Sequence, residues 1–205
     1  MASNLIVARG AVNFVSPVSL GFWRWTVAFI LLIPFFYKPI FQNIKDFKSE
    51  FLKLFFLGFT GCCICSVFPY IAGKTTTVLN MSLIYTSSPI FIVLLSAFFY
   101  KEKINVLRSL GFLLCFIGVL IVISNGQISA LLNLEFATGD IWMIGAAISW
   151  ALYSVYLLNW KSKFDFFTRF ALITFCGSLS LFPFYLYETF FLGIETSLNT
   201  MSIFW

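Results

Sequence analysis

Arg24 lies seven residues into an apolar run that starts at Pro17, and tryptophans flank it as Trp23 and Trp25. A guanidinium keeps its charge, and at a helix centre in hydrocarbon it costs roughly 2.5–3.5 kcal/mol, less toward the interface. Arg24 therefore either faces a cavity, where it meets an anionic substrate group or a helix C-terminus, or snorkels to the outer interface. Lys74 stands in the run Gly73-Lys74-Thr75-Thr76-Thr77, with Asn80 close behind. No Gly-x-x-x-x-Gly precedes this lysine and no soluble βαβ unit surrounds it, so it is not a phosphate loop. It contacts substrate or a gate, or it anchors a helix end. The threonines and Asn80 line a vestibule or satisfy a broken helix. Tyr70, Trp150 and Tyr153 are polar-tipped aromatics inside apolar runs, and the last two, three apart, share a helix face. They suit a cavity wall, packing or an interface belt. Expected substrate contacts are thus Arg24, Trp23, Tyr70, Lys74, Asn80, Trp150 and Tyr153.

Other chemistry is scarce. Histidine is absent, which removes the usual general base and a common metal ligand. Cys62, Cys63, Cys65, Cys115 and Cys176 all fall in apolar runs. Their spacing matches no zinc pattern, and they are expected to be small core-filling thiols. No catalytic residue, metal site or cofactor is expected. No Asp or Glu lies deep in an apolar run, although proton-coupled carriers usually keep one in the membrane. Any coupling would use Glu188, near an outer end, or residues beyond this chain.

The elements that must position these side chains are membrane helices. Of 205 residues, 60% are hydrophobic and 10% charged, against about 25% charged in a soluble domain. The apolar runs are continuous rather than alternating, which selects helices over a barrel. Six spans are expected: residues 17–36, 54–72, 83–100, 106–124, 141–158 and 170–187. Between the first two, Tyr37 to Lys53 reads as a polar connection along the membrane surface, with Phe41, Ile44 and Phe47 at every third position. Pro34 and Pro89 are expected to bend their helices. Gly111, Cys115 and Gly118 form a smooth stripe that lets a neighbouring helix approach. Glu102, between Lys101 and Lys103, is expected to pair locally or cap the next helix.

Ten of the 13 Lys and Arg residues fall on one side of an alternating topology, and only Arg9, Arg24 and Lys74 on the other. That positive-inside bias orients the chain as a multi-pass protein of a bacterial inner membrane or equivalent plasma membrane. It also accounts for the net charge of +5 without nucleic acid.

A shift of 149 residues lays Leu32-Ile33-Pro34-Phe35 on Leu181-Phe182-Pro183-Phe184. The implied unit holds five spans, and an odd number inverts the second copy, as in many secondary transporters.

Several features resemble the EamA family of the drug/metabolite transporter superfamily. They are Ser16-Pro17, Phe22-Trp23-Arg24, Ala72-Gly73-Lys74-Thr75-Thr76, Ser82, Pro89, the Lys101-Glu102-Lys103 turn, Gly111 and Gly118-Val119-Leu120. Gly139-Asp140 and Ala146-Ala147-Ile148-Ser149-Trp150-Ala151 are similar to the opening of that family's second half. The resemblance implies an all-α integral membrane protein, part of a 5+5 inverted-repeat fold of ten helices with a central cavity. It implies transport of small metabolites by alternating access. Residues 1–124 would form the first repeat, its first helix truncated at the start, and 140–205 an incomplete second. Against the family's length, half of the first helix and the last three helices are expected to be missing. Two rivals remain: a non-transporting membrane interaction protein or transporter remnant, and a membrane-embedded enzyme, for which no convergent acid–base set is visible. Expected partners are the lipid bilayer and a small metabolite, with self-association left open.

Overall fold

The computed structural model describes residues 16–101, 106–123 and 137–191. Helix α1 (Pro17–Gln42) starts with proline in its first turn, where the missing N–H costs no bond. Its 26 residues span about 39 Å, longer than the ~30 Å hydrocarbon layer, so the helix overshoots. Asn43 alone breaks the winding, donating from both its backbone N and its side-chain Nδ2 to Pro39 O. Helix α2 (Ile44–Gly58) follows at once. The expected surface connection of residues 37–53 is therefore corrected: all but one residue is wound into two helix ends. Its every-third pattern does not mark one face, since Phe41 is exposed while Phe47 packs on the core.

From Ile44 to Ala72 one span runs through α2, a π-helical segment (Phe59–Ile64) and α3 (Cys65–Ala72). The Thr60 hydroxyl donates to Phe56 O at 2.8 Å at the start of the wide turn. A turn from Gly73 to Thr77 then leads into α4 (Val78–Thr86) and α5 (Ser88–Tyr100). The Thr77 hydroxyl accepts the Asn80 N–H as the N-cap of α4. Between α4 and α5 the chain breaks at Ser87, whose hydroxyl donates to Ile84 O. Pro89 lacks the N–H that would carry the winding across this point, and the Val78–Tyr100 span is interrupted just before it, where a bend is expected. Pro34 does sit inside α1, where its ring leaves one helical bond unmade.

Helix α6 (Val106–Ile123), α7 (Thr138–Asn159) and α8 (Phe166–Phe191) complete the described elements. Five helices among the described residues are long and apolar enough to cross a membrane, and α6 adds 18 largely apolar residues where the fourth expected span lies. Glu102, Lys103 and the Cys115 side chain lie outside the described residues, as do the two chain ends, 1–15 and 192–205.

The Ile44–Ala72 span is central. α8 packs along α1, α2 and the π segment, while α7 packs along α3, α4 and α5. At the crossing with α8 the backbones touch: a Cβ on Gly58 would lie 2.5 Å from Gly177 N, and one on Gly177 would lie 2.4 Å from Cys62 Cβ. Small residues permit that approach, as is usual between membrane helices. The Gly111 and Gly118 stripe behaves otherwise. A Cβ on either meets nothing within 4 Å, because α6 touches mainly α4.

Polarity is arranged for lipid. Phe35, Phe98, Leu107 and Leu158 are exposed, while Ser19, Ser66, Thr76, Asp140, Thr174 and Glu188 are buried. Polar contacts join helix ends expected on the same side of the membrane. Outside, Ser19 Oγ donates to Glu188 Oε2 at 3.5 Å. Inside, Glu50 accepts the Ser162 hydroxyl at 2.6 Å and the Lys163 backbone N–H at 2.9 Å.

Candidate functional site

The π segment is where the site begins. Its widened turn, followed within α3 by Pro69, sets Gly61, Cys62 and Cys65 along one wall of a cavity of about 360 Å³. Arg24 and Trp25 of α1, Tyr85 of α4, Trp150 and Tyr153 of α7, and Phe170 of α8 supply the other walls. Gly61 has a steric reason: a Cβ there would lie 2.6 Å from the Tyr153 ring. Without a side chain at 61, the phenol lies close against the π segment.

Arg24 is half-buried and turned toward α3. Its Nη2 donates to Ser66 Oγ at 2.9 Å and its Nη1 to Tyr70 Oη at 3.2 Å. The guanidinium carbon lies 4.9 Å from the centre of the Trp25 ring, within cation–π range. Ser66 Oγ also accepts the Trp25 indole N–H at 2.7 Å, so one hydroxyl holds both groups. The aromatic wall is continuous, with ring centroids 5.3 Å apart for Trp150 and Tyr153 and 6.5 Å for Tyr85 and Trp150.

Of the residues expected from the sequence, Arg24, Trp150 and Tyr153 come together on this cavity, and Tyr70 stands behind Arg24. Trp23 does not join them. It is exposed and meets Tyr185 edge-on. Lys74 is exposed in the turn from Gly73 to Thr77. Asn80 is buried in a separate cluster, where its Nδ2 donates to Asp140 Oδ2 at 3.2 Å. Asp140 also accepts the Thr76 hydroxyl and the Ala137 N–H, tying the start of α7 to the turn after α3. Gly139 belongs to the same joint, since a Cβ there would lie 2.6 Å from Ala72 O.

Sequence reasoning missed Trp25, Ser66, Tyr85 and the π segment. A signal was present in the second span, where Gly58, Gly61, Cys62, Cys65, Ser66 and Pro69 recur three or four apart and mark one helical face. Cys62, Cys63, Cys65 and Cys176 are buried free thiols. Among the described residues no group of three or more His, Cys, Asp or Glu could hold a metal.

Outside the spans, two charged groups are shifted. The hydrogen bond from Lys163 to Asp46 raises the lysine above its ordinary value, and the bond to Thr168 lowers the Asp165 carboxyl below its own.

Residues 1–124 match the EamA-like transporter family. An uncharacterized transporter of Archaeoglobus fulgidus is 29% identical over 190 residues, which cover 92% of this chain and 64% of that protein. The uncharacterized transporter YyaM of Bacillus subtilis is 28% identical over 151 residues, 73% of this chain and 49% of its own. The chain thus spans less than two thirds of these relatives' length. No solved structure matches it. With its family match and its long apolar helices, the chain belongs to the EamA-like transporter family and is a multi-pass membrane protein.

Proposed function

We propose that this protein carries small metabolites across a cell membrane by alternating access, with the cavity between α1, the π segment, α4, α7 and α8 as the substrate site. The observation that carries this reading is Arg24, a cation held at the wall of an aromatic cavity by Ser66 and Tyr70. A charge placed inside a membrane helix marks a substrate path by default. Residues 1–124 and 140–205 would act as inverted repeats that rock about the site. The match over 1–124 and the transporter names of the relatives support that plan.

Uptake into proteoliposomes tests it. Arg24→Ala is expected to abolish uptake of any substrate found, while Trp23→Ala, outside the cavity, leaves it near wild type. Normal uptake by Arg24→Ala would defeat the assignment.

A further inference from the structure

From the chemistry of the cavity walls we infer the substrate class: an organic anion with a flat, apolar body, such as a one-ring aromatic carboxylate. This rests on reading the cavity as the transport site.

Charge is the first argument. Arg24 lines the cavity, and a guanidinium brings a permanent positive charge there. Cys62, Cys65, Tyr85, Trp150, Tyr153 and Phe170 bring no carboxylate to the walls. The acids of the described residues hold other partners. Asp46 and Glu50 bind the 160–165 loop, Asp140 binds Thr76 and Asn80, Asp165 caps α8, and Glu188 meets Ser19. In a site of low dielectric a fixed positive charge draws an anion and opposes a cation.

Shape is the second. Aromatic walls alone would equally suit a cation, since ring faces attract ammonium groups. Here one such face is already taken by Arg24, which lies over Trp25. The remaining rings of Tyr85, Trp150 and Tyr153, tilted 33–40° to their neighbours, offer separate apolar faces on which one ring can stack. The guanidinium, held in place by Ser66 and Tyr70, presents a fixed positive charge that suits a carboxylate. The volume of about 360 Å³ sits at the small end for ligand sites, which favours one ring over a nucleotide.

Three probes separate these arguments: phenylacetate, phenethylamine of similar shape but opposite charge, and acetate without the ring. Binding to the full chain in detergent is read from tryptophan fluorescence, because Trp25 and Trp150 line the cavity. Phenylacetate is expected to bind about tenfold or more tighter than either other probe. Arg24→Gln is expected to remove that advantage over the amine, and Trp150→Ala the advantage over acetate. Equal or tighter binding of the amine overturns the inference, as does failure of phenylacetate to bind at millimolar concentration. The wild-type comparison needs no variant to fold. Counterflow in proteoliposomes then tells the two readings apart. Selective phenylacetate binding without movement defeats transport and leaves the ligand class standing. Movement of the amine but not the acid defeats the ligand class and leaves transport standing.

Discussion

Arg24 and Ser66 are joined by a 2.9 Å hydrogen bond across the gap between α1 and α3, and the same serine oxygen takes the Trp25 N–H. A hydroxyl in an apolar helix thereby fixes the direction of a charge that could otherwise reach for the interface. Hydrogen bonds to charged groups contribute about 1.5–3 kcal/mol. Ser66→Ala is expected to lose stability of that order and to raise KM for uptake more than it lowers the maximal rate. Thermal unfolding in detergent and a substrate titration check both. Ser154→Ala is the control, since that hydroxyl bonds its own helix at Trp150 O.

The glycines divide into two groups. Gly177→Ala and Gly58→Ala drive a methyl into a neighbouring backbone or into Cys62, and overpacking of this kind costs about 1–3 kcal/mol. Gly111→Ala and Gly118→Ala meet open space and gain helix propensity of up to about 1 kcal/mol. Melting temperatures of the four variants are expected to fall for the first pair and hold or rise for the second. A drop for Gly111→Ala equal to that for Gly177→Ala would show that α6 has a close neighbour after all.

Asp140 fastens α7 to the turn after α3 through Thr76 and to α4 through Asn80, and it accepts the Ala137 N–H at the start of its own helix. Removing it takes an acceptor from buried Thr76 and Asn80 and from the half-buried Ala137 N–H, and a buried donor left unsatisfied costs about 1–3 kcal/mol. Asp140→Ala is expected to be among the most destabilising changes outside the glycine crossing, and Asp140→Asn, which keeps an acceptor oxygen, milder. Hydrogen exchange at residues 73–80 is expected to rise in the alanine variant.

Much of the fold was legible because the solvent is lipid. A continuous apolar run can be satisfied only as a helix, so the spans are visible without packing information. Their ends are not. Lys38, Lys45, Lys48 and Lys53 mark the water side, but a helix can continue past the bilayer, and this one yields only at Asn43. The site was half legible. Arg24 declares itself through the cost of its charge, whereas Ser66 looks like any small residue until its partners are in view. Gly111 and Gly118 form a true pattern, yet a pattern names no neighbour.

The loop between α7 and α8 gives a pH test whose sign follows from two exposed groups. Asp165 caps α8 by accepting the Thr168 N–H at 3.2 Å, and its bond to Thr168 lowers its pKa. A lowered carboxyl contributes stability that is full above the unfolded value of about 3.9 and is lost as pH falls through the folded one. Lys163 runs the other way. Its bond to Asp46 raises its pKa, so its contribution is full below the unfolded value of about 10.4 and is lost as pH rises through the folded one. Asp165→Asn keeps a capping oxygen that cannot titrate. Its melting temperature is expected to lie slightly below wild type at neutral pH and to converge with it as pH falls through the lowered folded value of Asp165. Lys163→Met is expected to converge with wild type at strongly alkaline pH. A constant gap across the acid range for Asp165→Asn would mean that the carboxyl's charge contributes nothing to the cap.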